Sequence, residues 1–170
     1  MTAAVRLAQA LHDADAVVTC VPGFGGTQVF EAYGALRGAA PVWSFHEEVA
    51  FTVAHGAALA GRRAAALLKT HGLAKAANSA LDAVTAGVTA GCVVVVFDDP
   101  AGLHSDSVAD PVRLLDGLQI PFVKAGPDLR ADLFACFHTS ERTELPCALV
   151  VDADAMDAPA AVAAERPPPP

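Results

Sequence analysis

The sequence predicts an α/β fold: a three-layer open parallel sheet of about six strands, with helices on both faces. Three observations predict it. Short apolar or β-branched runs alternate with longer alanine-rich segments along the chain, and such alternation builds βαβ units whose strands run parallel. The run GCVVVVFDD at 91–99 is nearly all apolar, which suits a central strand covered on both faces. Hydrophobic residues make up 54% of the 170, against 18% charged, enough to bury the core of one domain.

Taken in order, residues 5–12 carry apolar side chains at helical spacing and read as a helix. AVVTCV, 16–21, is a β-branched strand, and PGFGG makes a turn into a helix over 27–36. PVWSF, 41–45, reads as a second strand, followed at once by a helix over 47–60 that Gly61 closes. Residues 64–69 form a third strand, and 70–87 a loop entering a helix. After the strand at 91–99 comes a polar loop of Gly, His, Ser and Asp, then a short helix over 112–118. Strands at 121–124 and 147–151 flank a helix at 129–138. One domain over 1–152 is expected, then an Ala/Pro-rich flexible tail over 153–170, since the terminal RPPPP can neither continue a helix nor join a ladder.

Composition excludes several classes of function. A net charge of −8 argues against nucleic acid or an acidic membrane surface as the main partner. Cys20, Cys92, Cys136 and Cys147 include no C-x-x-C pair, so no zinc or iron–sulfur site is expected from this chain, and no metal ligand is assigned in it. Cysteines in or beside strands behave as small hydrophobes and fit a reducing cytoplasm. The N-terminus lacks a long apolar signal core, and the strongest apolar run, 92–97, is too short to span a bilayer.

In an open parallel sheet, ligands sit at the carboxyl ends of the strands. Here those ends read Pro22-Gly23, His46-Glu47, Thr70-His71-Gly72 and Asp98-Asp99, with His104 close behind. A bland account exists for each. Carboxylates at a helix start are favoured by the dipole alone, histidines are often structural, and paired aspartates more often close a strand than hold magnesium. GFGGTQ lacks the third glycine of a dinucleotide fingerprint.

Several blocks in order, however, resemble one family. WSFHEEVA, LLKTHGL, AGVTAG and VVVVFDDPAGLHS, together with VPGFGGTQVFEAYGAL, are similar to the pyrimidine-binding (Pyr) domain of thiamine diphosphate enzymes over roughly 17–123. Within that group the chain resembles the indolepyruvate ferredoxin oxidoreductases, and the two-subunit sulfopyruvate and phosphonopyruvate decarboxylases are also similar. The resemblance implies that Glu47 contacts the cofactor's aminopyrimidine ring and exchanges a proton with it, activating the thiazolium carbon for attack on a 2-oxo acid. It implies that Pro22, Gly23, Thr70, His71 and Gly72 line the cofactor, and that His46, His71 and His104 lie towards the substrate. Asn78 either meets a facing subunit or caps its helix. The chain departs from the family pattern at His46, Thr70 and Ala74, where the family carries asparagine, histidine and asparagine.

The family's second domain, the PP domain, holds the diphosphate through magnesium, usually by a G-D-G motif and paired asparagines. Neither occurs here. The expectation is therefore a Pyr subunit of a split enzyme, inactive without a PP-domain partner that binds most of the Mg2+, in an α2β2 assembly. Decarboxylation or carboligation of a 2-oxo acid is the first expectation, because ferredoxin-type cysteine clusters are absent. A component of a 2-oxoacid:ferredoxin oxidoreductase is the alternative, and a non-catalytic regulatory or binding subunit a further one.

Overall fold

A computed structural model describes residues 1–158. The elements run α1 (Ala3–Asp13), β1 (Val17–Cys20), α2 (Gly26–Arg37), α3 (Glu47–Leu59), β2 (Ala64–Lys69), α4 (Thr70–Lys75), α5 (Ala77–Ala86), β3 (Cys92–Asp98), α6 (Pro111–Gly117), β4 (Phe122–Lys124), α7 (Leu129–Thr143) and β5 (Cys147–Asp152), closed by a 3-10 turn at Asp154–Met156. The strands form one parallel sheet in the order β1-β2-β3-β5-β4.

Strand period and helix placement together explain the apolar run. Val93, Val95 and Phe97 of β3 face a cluster built with Leu7 and Leu11 of α1, Phe30 of α2 and Phe137 of α7. Val94 and Val96 face the opposite cluster, with Phe51 of α3, Ala80 of α5 and Leu115 of α6. A strand buried on both faces has no place for a polar residue until its end, where Asp98 stands. Each large side chain enclosed in this way contributes about 1.5–3 kcal/mol. Two helices, α6 and α7, start on aspartate caps. Asp110 accepts from the amides of Val112 and Arg113 with Pro111 in the first turn, and Asp128 accepts from Ala131. Burial pushes the Cys20 and Cys92 thiols up to about 12, so both sit as protonated apolar side chains.

Four expectations change. Among the described residues the sheet has five strands, because 41–45 does not pair as a strand. Pro41 brings no amide donor, and the segment is tied to the sheet by Ser44 N donating to Cys20 O at 2.9 Å, at the last residue of β1. Val42 and Phe45 are 86% and 88% exposed, while Trp43 meets Phe30 edge-on at 4.9 Å. Second, the chain turns helical at Thr70 directly after β2, so the expected loop is α4. Third, α7 continues to Thr143, where Glu144 takes a left-handed conformation at φ 56°. Fourth, the compact part continues beyond 152: Ala153 and Met156 are buried, and Ala3 N donates to Ala158 O at 3.2 Å. The remainder of the expected tail, 159–170, lies outside the described residues.

An ion pair straps α7 to the start of β2. Arg63, ahead of β2, holds Glu141 of α7 through Nε at 2.6 Å and Nη2 at 3.0 Å, with its guanidinium 5.3 Å from the Phe137 ring centre. The bidentate guanidinium keeps the Glu141 carboxyl below the usual carboxylate range against a smaller opposing effect of burial. The folded-state value is depressed, so the stabilisation is fully present above the unfolded value of about 4.3 and disappears as pH falls through the folded value. Glu141→Gln should lose about 1 kcal/mol at pH 7. Denaturant titrations at pH 7 and pH 3 should show the gap between wild type and variant shrinking at the lower pH.

Candidate active site

The carboxyl ends of β1 and β2 open into a cleft of about 240 Å³, whose walls include Pro22, Leu68, Glu47, Gly72 and the loop that follows β3. Glu47 is the first residue of α3. His46 sets that start: its backbone is extended and its Nδ1 accepts from Glu48 N at 3.3 Å. The two adjacent carboxylates then part. Glu48 Oε1 accepts from Asn78 Nδ2 and Ser79 Oγ of α5, each at 3.1 Å, and these two hydrogen bonds hold its carboxyl below the usual range. Glu47 turns into the cleft, with its side chain 15% exposed and Oε1 3.4 Å from Lys75 Nζ.

Gly72 makes that orientation possible. A Cβ at position 72 would lie 3.0 Å from Glu47 Cγ and 3.5 Å from its Oε1, so α4 approaches the carboxylate closely only because that position carries no side chain.

The far wall is the loop following Asp99. That carboxylate accepts from Leu103 N at 3.0 Å and His104 N at 2.8 Å. Burial pushes the Asp99 carboxyl up, but these amides and the Ser105 hydroxyl outweigh it and the net shift is downward. The His104 ring stacks on Phe24 at 3.6 Å and Nε2 lies 3.0 Å from Asp154 Oδ1. Lys69 Nζ donates to His104 O, and Ser107 Oγ meets His71 Nδ1 at 2.9 Å. The loop is thus tied to β2 and α4 by their own polar side chains.

Of the residues singled out in the sequence, Pro22, Glu47, His71, Gly72 and His104 line this cleft. Gly23, Thr70 and His46 do not. Gly23 lies against the stem of Lys69, whose Cδ a Cβ there would meet at 3.0 Å. Thr70 is buried, its hydroxyl donating to Asp98 Oδ1 at 3.3 Å. The Asp98 carboxyl is raised, mainly by burial and further by Asp110 and Asp152. His46 serves as the cap described above and is exposed. Asn78, left open between two roles, holds Glu48. Among the described residues no group of three His, Cys, Asp or Glu side chains is arranged to hold a metal ion.

Sequence reasoning missed Lys69, Lys75, Ser105, Asp106 and Ser107, all in the cleft wall. Lys75 was within reach: it follows His71 by four residues and Gly72 by three, which is one helix face. The loop residues carry no such signal.

Beside the cleft, α3 presents an uncharged outer surface. Val49, Val53 and Leu59 are exposed at 41–51%, Gly56 has open space where a Cβ would stand, and Phe45 leads into the helix. Among the described residues, no helix is long and apolar enough to cross a membrane.

No family model matches the chain. It is 36% identical over 109 residues to the indolepyruvate oxidoreductase subunit IorA of Archaeoglobus fulgidus, over 63% of this chain and 18% of that protein. It is 37% identical over 98 residues to IorA of Thermococcus kodakarensis, over 56% of this chain and 15% of the relative. The match therefore spans under a fifth of these relatives. A 2-oxoglutarate:ferredoxin oxidoreductase from Magnetococcus marinus superposes with a TM-score of 0.76 at 15% identity, over 92% of this chain and 30% of that one. A thiamine diphosphate-dependent 4-hydroxybenzoylformate decarboxylase from Rhodococcus jostii superposes with a TM-score of 0.75 at 16% identity, over 95% and 32%. At these identities the structural likeness is one of fold. The chain therefore shares its fold with a 2-oxoacid:ferredoxin oxidoreductase and with a thiamine diphosphate-dependent decarboxylase, and in sequence it is similar to the indolepyruvate oxidoreductase subunit IorA.

Proposed function

We propose that the chain is the pyrimidine-binding component of a thiamine diphosphate-dependent enzyme acting on 2-oxo acids, with Glu47 as the residue that serves the cofactor. The carrying observation is the Glu47 carboxylate, turned into a cleft at the carboxyl edge of a parallel sheet while its neighbour Glu48 is bound to α5. The residues present fit the cofactor's ring. Val21, Pro22 and Leu68 supply an apolar wall, and Gly72 leaves room for the glutamate stem. When bound, thiamine diphosphate supplies a thiazolium carbon that adds to a 2-oxo acid carbonyl and takes up the electrons released as the next bond breaks. The chain's own part is to hold a proton on the Glu47 carboxyl, exclude water with its apolar wall, and line the entrance with His71 and His104.

An oxidoreductase of the indolepyruvate type is the favoured reaction, because the sequence relatives are subunits of that enzyme. The absence of cluster-binding cysteines, which pointed to non-oxidative chemistry, loses its force when the matched region is under a fifth of the relatives. Decarboxylation or carboligation is the second reading, supported by the fold shared with a decarboxylase. Assays of the reconstituted enzyme with a 2-oxo acid, coenzyme A and an electron acceptor separate the two. Acceptor reduction supports the first reading, and release of aldehyde or a carboligation product without it supports the second.

The diphosphate and Mg2+ would be held mainly by a PP-domain partner, in an α2β2 assembly. The uncharged surface of α3 next to Glu47 suits such a contact, since burying it costs no charge desolvation. Val53→Lys should weaken association with that partner about tenfold or more and change the stability of the isolated chain by less than about 0.5 kcal/mol. Sedimentation and thermal unfolding measure the two effects. Unchanged association would remove α3 from the interface.

A further inference from the structure

Glu47 has one polar partner among the described residues, and it is not a motif residue. Lys75 ends the last turn of α4, lines the same cleft, and places Nζ 3.4 Å from Glu47 Oε1. The two ends of this pair differ in freedom. The glutamate side chain is 15% exposed and set against Gly72, whereas the lysine side chain is 49% exposed on a flexible stem. The neighbouring carboxylate is handled otherwise, by the neutral donors Asn78 and Ser79. A cation has thus been placed on one glutamate and not on the other.

We propose that Lys75 is an ionic latch on Glu47, a positioning residue that occupies the carboxylate until the aminopyrimidine ring of thiamine diphosphate enters the cleft. The inference rests on the assignment of Glu47 to that ring. The lysine, half in solvent, swings out with little loss of contact, while the glutamate stays in place against α4. The ion pair is a contact that binding has to break, and it therefore weakens apparent cofactor affinity.

The sign of the effect separates a latch from a ligand. In the reconstituted complex with the PP-domain partner, thiamine diphosphate with Mg2+ is titrated calorimetrically into wild type, Lys75→Met and Lys75→Arg. Lys75→Met should bind roughly fivefold more tightly, the size of one partly exposed ion pair, and Lys75→Arg, which retains the pair, should stay close to wild type. In a Glu47→Gln background the methionine substitution should have no effect. Thermal unfolding of the chain verifies that each variant folds. Unchanged affinity in Lys75→Met would overturn the latch, and weaker affinity would overturn it too by making Lys75 a direct ligand. Failure of the underlying assignment has a different signature: Glu47→Gln would then exchange the cofactor's C2 proton as fast as wild type, whatever Lys75 does.

Discussion

Glu47→Gln should slow exchange of the thiamine C2 proton in the reconstituted complex by about 10²–10⁴-fold, the range for losing a positioned acid or base. Glutamine keeps the volume and a hydrogen-bonding oxygen but cannot supply the proton. Quenched hydrogen–deuterium exchange followed by NMR reads the effect without requiring the physiological substrate, and light scattering checks that the subunits still assemble. Glu48→Gln is the internal control. Its carboxylate is fastened to Asn78 and Ser79 of α5, so its loss should leave exchange near wild type. Wild-type exchange in Glu47→Gln would end the catalytic assignment, and a large loss in Glu48→Gln would move it to the neighbouring residue.

The second large effect is on stability. Gly25 precedes α2 at φ +81°, and a Cβ there would lie 2.5 Å from Phe97 Cδ1 and 3.1 Å from Cγ. Phe97 is enclosed in the core at 1% exposure and has nowhere to retreat. Gly25→Ala combines a backbone cost of about 1–3 kcal/mol with about 1–3 kcal/mol of overpacking. At roughly 2–4 °C per kcal/mol for a chain of this size, the melting midpoint should fall by about 4–24 °C. Gly26→Ala provides the comparison: a Cβ there meets Cys20 Sγ and Phe97 Cε2 at 3.4 Å in an ordinary helical position, so its cost should be under about 1.5 kcal/mol. Equal midpoints for the two variants would show that Phe97 can move aside. Gly25 also lies in the turn that carries Pro22 to the cleft, so core and site are joined through one short segment.

The parts of this molecule that were readable in its sequence are those governed by local period. Strand β2 falls within the bounds expected for it, and β3 differs by a single residue at each end, because β-branched and leucine-rich runs between glycines and alanine helices admit one reading. The helix following Glu47 was equally plain. The segment at 41–45 was misjudged because a short run with aromatic residues satisfies strand composition without the amides and neighbours a strand needs. The helix at Thr70 was hidden by a glycine and a histidine in its first turn, residues that local propensity disfavours but that packing against β2 accepts.

From sequence alone came the parallel α/β class, and the proposal of Glu47 over Glu48 at one sheet edge rests on a family likeness. Tertiary structure decided which of the nominated residues meet: Pro22, His71, Gly72 and His104 join Glu47, whereas Gly23, Thr70 and His46 hold the frame around it. It also decided the partners of the two glutamates, Lys75 for one and Asn78 with Ser79 for the other, across 28 to 31 residues of chain. Hydrophobic period is written residue by residue and survives in any window of the chain. A contact between helices depends on their rotation and separation, which are set only once the core on both faces of the sheet has closed.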